Sequence, residues 1–475
     1  MNKFHSTVSR RDFMKGLGLT GAGIGAAAAA APVFHDLDEV MSQPTEMKRA
    51  WWIRDRDIGN PTVPVDFNIF KRYDKSHFKD GEFNERSDRT VALLEDMYGT
   101  SNSTELWSMG AQNNWQGVEL RDTAVRNAMN ATPRASFGFM PPTEDRSGRA
   151  LKTNETYGMP KHNGTPEENL KMMQVAGRFF GAWNIGVTEL DEKSRRFVWA
   201  NDGKRTYPYA NVDAPSDENN VRTIPNKYAY AFTYMIRHTW SMHTAPGNIG
   251  GASQAHAYFN NSHVGYRFQA FLHNLGYSGL GLSAAGSGSW PVWSGMGELS
   301  RGCLISLPEH GPMVRKMDFI ITDFPLAPTK PIDAGMYKFC HTCAKCAEHC
   351  PTGSIPLEKE PVFDTGLPWN NPGVKAWYND YPVCNVFKSN FGPGYCGVCI
   401  ASCPFSKQDT AGIHELVRAG MSTLPMFHGF TRIMDDVFGY GLNQGGLKFH
   451  ESDNYVNEWW DTIGPEYGLH TYDGI

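Results

Sequence analysis

The chain has 475 residues, with 45 basic and 50 acidic side chains for a net charge of −5, and nine cysteines. Its length gives room for roughly two to three domains around large cores, and its 40% hydrophobic and 20% charged residues exclude a mainly disordered chain. The acidic balance excludes a strongly basic nucleic-acid binder, the lack of a fixed-period repeat excludes solenoids and propellers, and nothing beyond the N-terminus approaches the roughly 20 apolar residues of a membrane span.

Residues 1–31 read as an export signal. Arg10-Arg11-Asp12-Phe13-Met14-Lys15 is a twin-arginine pattern, followed by an uncharged, Gly- and Ala-rich stretch from Gly16 to Ala31. That stretch is too short and too weakly apolar to anchor as a helix. Ala28 and Ala30 suit a small-residue cleavage site, just ahead of Pro32. Removing 1–31 takes away four basic and one acidic side chain, leaving a net charge of −8. A twin-arginine signal is an address and not an anchor, and its route carries proteins already folded around their cofactors.

Residues 32–165, rich in Pro, Gly, Asn and charge, read as loops and short helices wrapped over a core. Thr165-Pro166-Glu167-Glu168 opens a helix, with Thr165 as N-cap, Pro166 at the first turn and Glu168 closing a capping box. Leu170, Met173, Val175 and Phe179 carry it to about Gly181. Ala182 to Leu190, Arg196 to Ala200 and Tyr228 to Ile236 read as strands. From about His256 to Leu275 the spacing predicts a helix, with Val264, Phe268, Phe271, Leu272 and Leu275 on one face and Gly276 just past its end. Helices and strands mix without βαβ alternation, so the fold class is α+β. Residues 276–302 hold eight glycines in 27 residues, without a dinucleotide or P-loop fingerprint. Glycines let backbone approach a large flat ligand.

The cysteines carry the strongest signal. Cys340, Cys343, Cys346 and Cys350 with Pro351 form C-x2-C-x2-C-x3-C-P, the ferredoxin run for a [4Fe–4S] cluster. Cys384, Cys396, Cys399 and Cys403 with Pro404 repeat it with a stretched first gap. In two-cluster ferredoxins the fourth cysteine of each run ligates the other cluster. Cys340, Cys343, Cys346 and Cys403 therefore hold one cluster, and Cys350, Cys384, Cys396 and Cys399 the other. Paired zinc sites or disulfides would not call for a third cysteine followed by x3-C-P. His341 and His349, inside the first run, read as surface or supporting groups, and Cys303 as a small buried hydrophobe. Two clusters only move electrons, yet some 300 residues precede them, which calls for another redox centre or substrate site.

These features together resemble the reductive dehalogenases of organohalide-respiring bacteria. The resemblance rests on the twin-arginine signal, Gly164-Thr165-Pro166-Glu167-Glu168-Asn169, the run from Thr322-Asp323-Phe324-Pro325 to Ala334-Gly335, both cysteine runs, and an aromatic tail with Phe427-His428-Gly429-Phe430 and Trp459-Trp460. It implies a nitroreductase-like core that binds a corrinoid, a cobalamin-type cobalt cofactor, followed by a ferredoxin-like two-cluster domain. The expected organisation is a signal peptide (1–31), a wrapping region (32–165), a corrinoid- and substrate-binding core (166–330), the cluster domain (331–410) and a C-terminal extension packing on the core (411–475). Corrinoid contacts are expected from backbone within 276–302, without a protein histidine on cobalt.

The implied reaction is R–X + 2e⁻ + H⁺ → R–H + X⁻ at the corrinoid cobalt, fed by two [4Fe–4S] clusters, on a chlorinated alkene, alkane or aromatic. The proton donor matches Tyr258, and its basic partner matches Arg315, with Arg301 competing for that role. Some relatives carry an asparagine near the halogen site; Gly281 to Ser287 has none here. Trp290 and Trp293 are candidates for an apolar substrate pocket. The implied partners are the Tat export machinery, a respiratory electron donor and a small membrane anchor protein, with the enzyme peripheral on the outer face of the cytoplasmic membrane and no nucleic acid bound. Two other readings remain: an exported two-cluster electron-transfer subunit, and an epoxyqueuosine-reductase-like corrinoid enzyme.

Overall fold

The computed structural model describes residues 49–77, 80–115, 117–131, 137–145, 147–237, 247–282, 290–312, 314–390, 396–407, 412–438 and 460. The signal at 1–31, part of the glycine-rich stretch (283–289) and most of the aromatic tail lie outside the described residues. From Trp52 onward the chain forms one compact unit.

The region expected as loops and short helices carries three substantial helices: α1 (Asp80–Tyr98), α2 (Ser103–Gln112) and α3 (Leu120–Ala131). Their Asn- and Ser-rich sequences hide this, and tertiary packing supplies what propensity lacks: α1 lies against a later cysteine-bearing helix, and α3 against the long helix of the core.

The capping box forms as read. Thr165 Oγ1 accepts from Glu168 N at 3.2 Å, and Glu168 Oε2 accepts from Thr165 N at 2.9 Å. Helix α4 (Pro166–Phe180) runs to Gly181, whose φ of 106° ends it in the left-handed region. Its buried stripe is Asn169, Met173 and Gly177, whereas Val175 and Phe179 are exposed. At Gly177 a Cβ would overlap Ile185 Cδ1 and Phe268 Cζ, so glycine lets α4 close on the sheet and the core helix.

The core is a four-stranded antiparallel sheet of order β1-β2-β4-β3: β1 (Asn184–Glu189), β2 (Tyr230–Arg237), β3 (Gly279–Leu282) and β4 (Val314–Thr322). Two of the expected strands are present, trimmed at their ends. The period-2 alternation of strands sends Ala231, Met235, Phe319 and Ile321 into one hydrophobic layer, with Trp290 and Phe197. Phe232, Tyr234, Ile236 and Ile320 enter the other, against α4 and the long helix α5 (Asn248–Asn274). Helix α5 has the predicted face, with Val264, Phe268 and Leu272 buried, and Gly276 follows its end at φ 87°. It begins eight residues earlier than the spacing suggests. Asn248, Gly250, Gly251 and Ser253 are poor helix formers, and near-complete burial overrides that preference.

Arg196 to Ala200 is not a strand. Asp191 Oδ1 accepts from Ser194 N at 2.7 Å while Ser194 Oγ accepts from Asp191 N at 2.8 Å. This reciprocal cap folds Ser194–Phe197 into a 3₁₀ turn that drives Phe197 into the core. Beyond the sheet, short helices carry the cysteines: α6 (Met336–Cys340), α7 (Lys345–Glu348), α8 (Tyr381–Asn390) and α9 (Val398–Ala401). Two more, α10 (Gly412–Thr423) and α11 (His428–Val437), follow. From the tail, Trp460 Nε1 donates to Asp122 Oδ1 of α3 at 2.7 Å. None of the described helices is long and apolar enough to cross a membrane.

Candidate functional site

All eight cysteines of the two runs, and Cys303, are free thiols. Gly335, at φ 70°, starts α6 where a Cβ would strike the Ser422 backbone of α10, which fixes the approach of Cys340. Cys340, Cys343, Cys346, Cys399 and Cys403 line one cavity. Electrostatic coupling links the thiols. Cys340 and Cys346 are each raised first by burial, then by neighbours that include Cys343 and Cys403. Burial likewise pushes Cys343 to about 12 and Cys403 to about 11. Cys396 is pushed to about 12 by burial and then by Cys384 and Cys350, and Cys399 is raised by burial and by Cys396, Cys384 and Cys350. Cys399 also couples to Cys346 and Cys403, so the two sets adjoin and the electrostatics alone do not divide them.

Buried thiols packed this closely resist ionising together, and a bound cationic centre reverses that. The donor chemistry therefore fits iron–sulfur clusters. Among the described residues, no three His, Cys, Asp or Glu side chains converge on a single metal-ion position.

The first set has a charged wall. Arg301, 1% exposed, donates from Nε and both terminal nitrogens to the carbonyls of Cys340, Cys343, Pro356 and Glu358 at 2.7–3.2 Å. Its backbone N lies 3.4 Å from Cys340 Sγ, and its guanidinium stacks 4.7 Å over Trp377. Lys345, inside the first run, pairs with Asp435 at 2.6 Å and Asp436 at 2.9 Å. Lys407, just after the second run, also pairs with Asp435. The second set is different. Burial raises Cys350, but hydrogen bonds with Ser354 and Thr352 outweigh it and leave the thiol below its ordinary value. Cys396 packs against the Leu94, Val118 and Phe387 cluster.

The candidate proton donor and its partner stand on neighbouring elements. Tyr258 is half-buried on α5. Arg315 lies on β4, where the register shifts between Val314 and Lys316, so it is the extra residue of a β-bulge, a device that re-aims side chains beside active sites. Its side chain lies outside the described residues. Asn261 Nδ2 of α5 donates to Asp318 Oδ2 of β4, and further along Leu272 and Ile320 meet around Gly279, so helix and strand run in the same sense. Tyr258 precedes Asn261 by one turn, and Arg315 precedes Asp318 by three residues. Both therefore fall at the same end of the pair. Arg301 is occupied at the cysteine run and does not compete for that role.

Two other expectations are not met. Three described glycines of 276–302 close on protein: a Cβ at Gly279 would meet Leu272 and Ile320, one at Gly281 the Gly138 carbonyl, and one at Gly297 the Ser306 carbonyl. These three positions offer no cradle for a flat macrocycle. Trp290 and Trp293 are core residues packed on Phe197.

Comparison with known proteins gives the arrangement its family. A profile described as "Reductive dehalogenase subunit" matches residues 48–326. The chloroethene reductive dehalogenase of Dehalococcoides mccartyi strain VS is 30% identical over 99% of both chains. The chain belongs to the reductive dehalogenase family. It is an oxidoreductase that acts on a halogenated substrate. The trichloroethene reductive dehalogenase of a second D. mccartyi strain (ATCC BAA-2266 / KCTC 15142 / 195) is 28% identical over 98% of both chains. A solved catabolic reductive dehalogenase, in complex with 3-bromo-4-hydroxybenzoic acid, shares the α+β fold at a TM-score of 0.55 and 20% identity. This chain covers 84% of its own length in that match and half of the other's. Membership of this enzyme family displaces both the electron-transfer-subunit and the epoxyqueuosine-reductase readings.

Several features of this dehalogenase escape sequence reading. The Lys345–Asp435–Lys407 network, the Asn261–Asp318 bond and the seating of Arg301 join residues 28 to 90 positions apart. A lysine inside a cysteine run and another just after one are the only local signals of the network. Cys303 stands at φ 55°, with its thiol pushed to about 11 by burial.

Proposed function

We propose that this reductive dehalogenase removes chloride from a small chlorinated alkene, with two [4Fe–4S] clusters delivering the electrons. Cys340, Cys343, Cys346 and Cys403 hold one cluster, and Cys350, Cys384, Cys396 and Cys399 hold the other. The observation that carries the reading is the cavity in which Cys340, Cys343, Cys346, Cys399 and Cys403, from both runs, come together as free thiols; the division into two sets follows the ferredoxin rule. The choice of an alkene is supported by near full-length likeness to chloroethene and trichloroethene dehalogenases.

A corrinoid, when bound, supplies the reducing cobalt that breaks the carbon–halogen bond. Support for it comes from the family resemblance and from a solved reductive dehalogenase described in terms of B12-dependent dehalogenation. Gly279, Gly281 and Gly297 close on protein, and the remaining steps concern protein groups alone. Tyr258 gives its phenolic proton to the carbon that loses halide, and Arg315 stabilises the phenolate left behind. Two electrons and one proton enter, and R–X becomes R–H and X⁻. The twin-arginine pattern at 10–15 supports export in the folded state, with peripheral attachment to the outer membrane face through an anchor protein and electrons from a respiratory donor.

Metal analysis of anaerobically folded protein is expected to give roughly eight Fe per chain, with one Co once corrinoid is supplied. Chloride release from chlorinated ethenes should exceed that from chlorinated alkanes and aromatics. Tyr258→Phe should lower turnover roughly 10²–10⁴-fold with metal content unchanged. Full iron without cobalt, or Tyr258→Phe turning over at the wild-type rate, would overturn the corresponding part of this reading.

A further inference from the structure

A guanidinium cannot shed its proton inside a protein, so a buried arginine needs a compensating negative charge. The other two buried cations beside the first thiol set have theirs: Lys345 and Lys407 share Asp435, and Lys345 adds Asp436. Arg301 does not. Its hydrogen bonds from Nε and the terminal nitrogens all end on backbone carbonyls, its flat face on Trp377, and among the described residues no carboxylate pairs with it. Two of those carbonyls belong to Cys340 and Cys343, and its own backbone N–H points at Cys340 Sγ. Its guanidinium therefore acts directly on the first thiol set, where it lowers the Cys340 thiol against the effect of burial.

We infer that Arg301 is the fixed counter-charge of the first thiol set and holds the reduction potential of the cluster bound there above that of an uncompensated site. The inference rests on the cluster reading proposed above. Each electron received adds a negative charge to the site, and a permanent cation in a water-poor wall favours that added charge. Such a charge acts without proton exchange, so its effect does not change across the working pH range. Among the described residues no arginine is seated in this way on the second set; Cys350 meets hydroxyls, Cys396 an apolar cluster, and the nearby cation, Lys388, is only partly buried. The two clusters should therefore differ in potential, with the Arg301 side the easier to reduce.

The test is an EPR-monitored redox titration, with titanium(III) citrate as reductant, of anaerobically prepared wild type, Arg301→Gln and Arg301→Lys, with iron counted in each. Arg301→Gln should keep both clusters and shift one midpoint downward by at least tenfold in the reduction equilibrium, about 59 mV for a one-electron couple, leaving the other in place. Arg301→Lys, which keeps the charge but not the planar fork, should stay within about threefold of wild type. An unmoved midpoint in Arg301→Gln overturns the inference. So does an equal shift in both variants, which would assign the effect to donor geometry. Loss of folded protein and iron together in both variants also overturns it, since the residue would then be a structural clamp. Wild type without cluster signals or iron would bring down the cluster reading itself, and this outcome is separable from the others.

Discussion

The two thiol sets repeat one sequence motif, yet the chain surrounds them in opposite ways. The first is walled by buried charge: Arg301 against its carbonyls, and Lys345, Lys407 and Asp435 locked together behind it. The second is walled by the Leu94, Val118 and Phe387 cluster and by hydroxyls at Cys350. A motif fixes which atoms can bind metal, while the environment that tunes them comes from distant segments, and in this chain those segments differ.

The largest effects should come from breaking the sets one at a time. Cys403→Ser should remove about four of about eight iron atoms and silence the cluster whose other ligands are Cys340, Cys343 and Cys346. Cys350→Ser should silence the other cluster, although Cys350 lies in the first run. Iron counts with EPR of each variant check this, and loss of the first-run cluster in Cys350→Ser would show the crossed grouping to be wrong.

A smaller effect sharpens the contrast in walls. Asp435→Asn leaves Lys345 and Lys407 buried beside too little negative charge, and should cost about 3–5 kcal/mol of stability. Ser354→Ala at the second set removes one hydrogen bond and should cost about 1 kcal/mol. Denaturant midpoints of the two variants compare the walls directly, and equal losses would erase the distinction.

The smallest effect is a pH dependence on the first side alone. Glu298 accepts from Ala334 N at 3.1 Å and Met336 N at 2.9 Å, bracing the start of α6, and burial pushes its carboxyl from 4.5 to about 7. The folded state thus keeps a proton that the unfolded chain has already lost. This group's contribution to stability should fall as pH rises from about 4.5 to about 7, by about 3 kcal/mol at most, and level off above. Glu298→Gln should flatten that slope in a melting series, and an unchanged slope would assign it to another group.

What the sequence makes legible is what neighbouring residues decide among themselves. The Thr165–Glu168 box, the buried face of α5 and the eight ligands of the proposed clusters are all short-range patterns, and the structure carries the first two as read. The reading fails where distant packing outweighs local preference. The glycine- and serine-rich start of α5 is helical because it is buried on nearly every side. Arg196 to Ala200 turns because Asp191 and Ser194 cap each other. Gly279, Gly281 and Gly297 serve close packing against neighbouring protein, which composition does not distinguish from ligand contact. The candidate pair Tyr258 and Arg315 is half-legible: family likeness picks the residues, but only the Asn261–Asp318 bond and the bulge at Arg315 set them at one end of the same helix–strand pair.

The proposed crossed pairing would also impose an order on the life of the chain. Cys340, Cys343 and Cys346 leave the ribosome about sixty residues before Cys403, so the first pocket must wait three-quarters built for its last sulfur. Cys350, made early, waits in turn for Cys384, Cys396 and Cys399. Neither pocket can be finished without the other run in place. In that pairing a chain cut before Cys399, or folded in halves, presents no complete metal site.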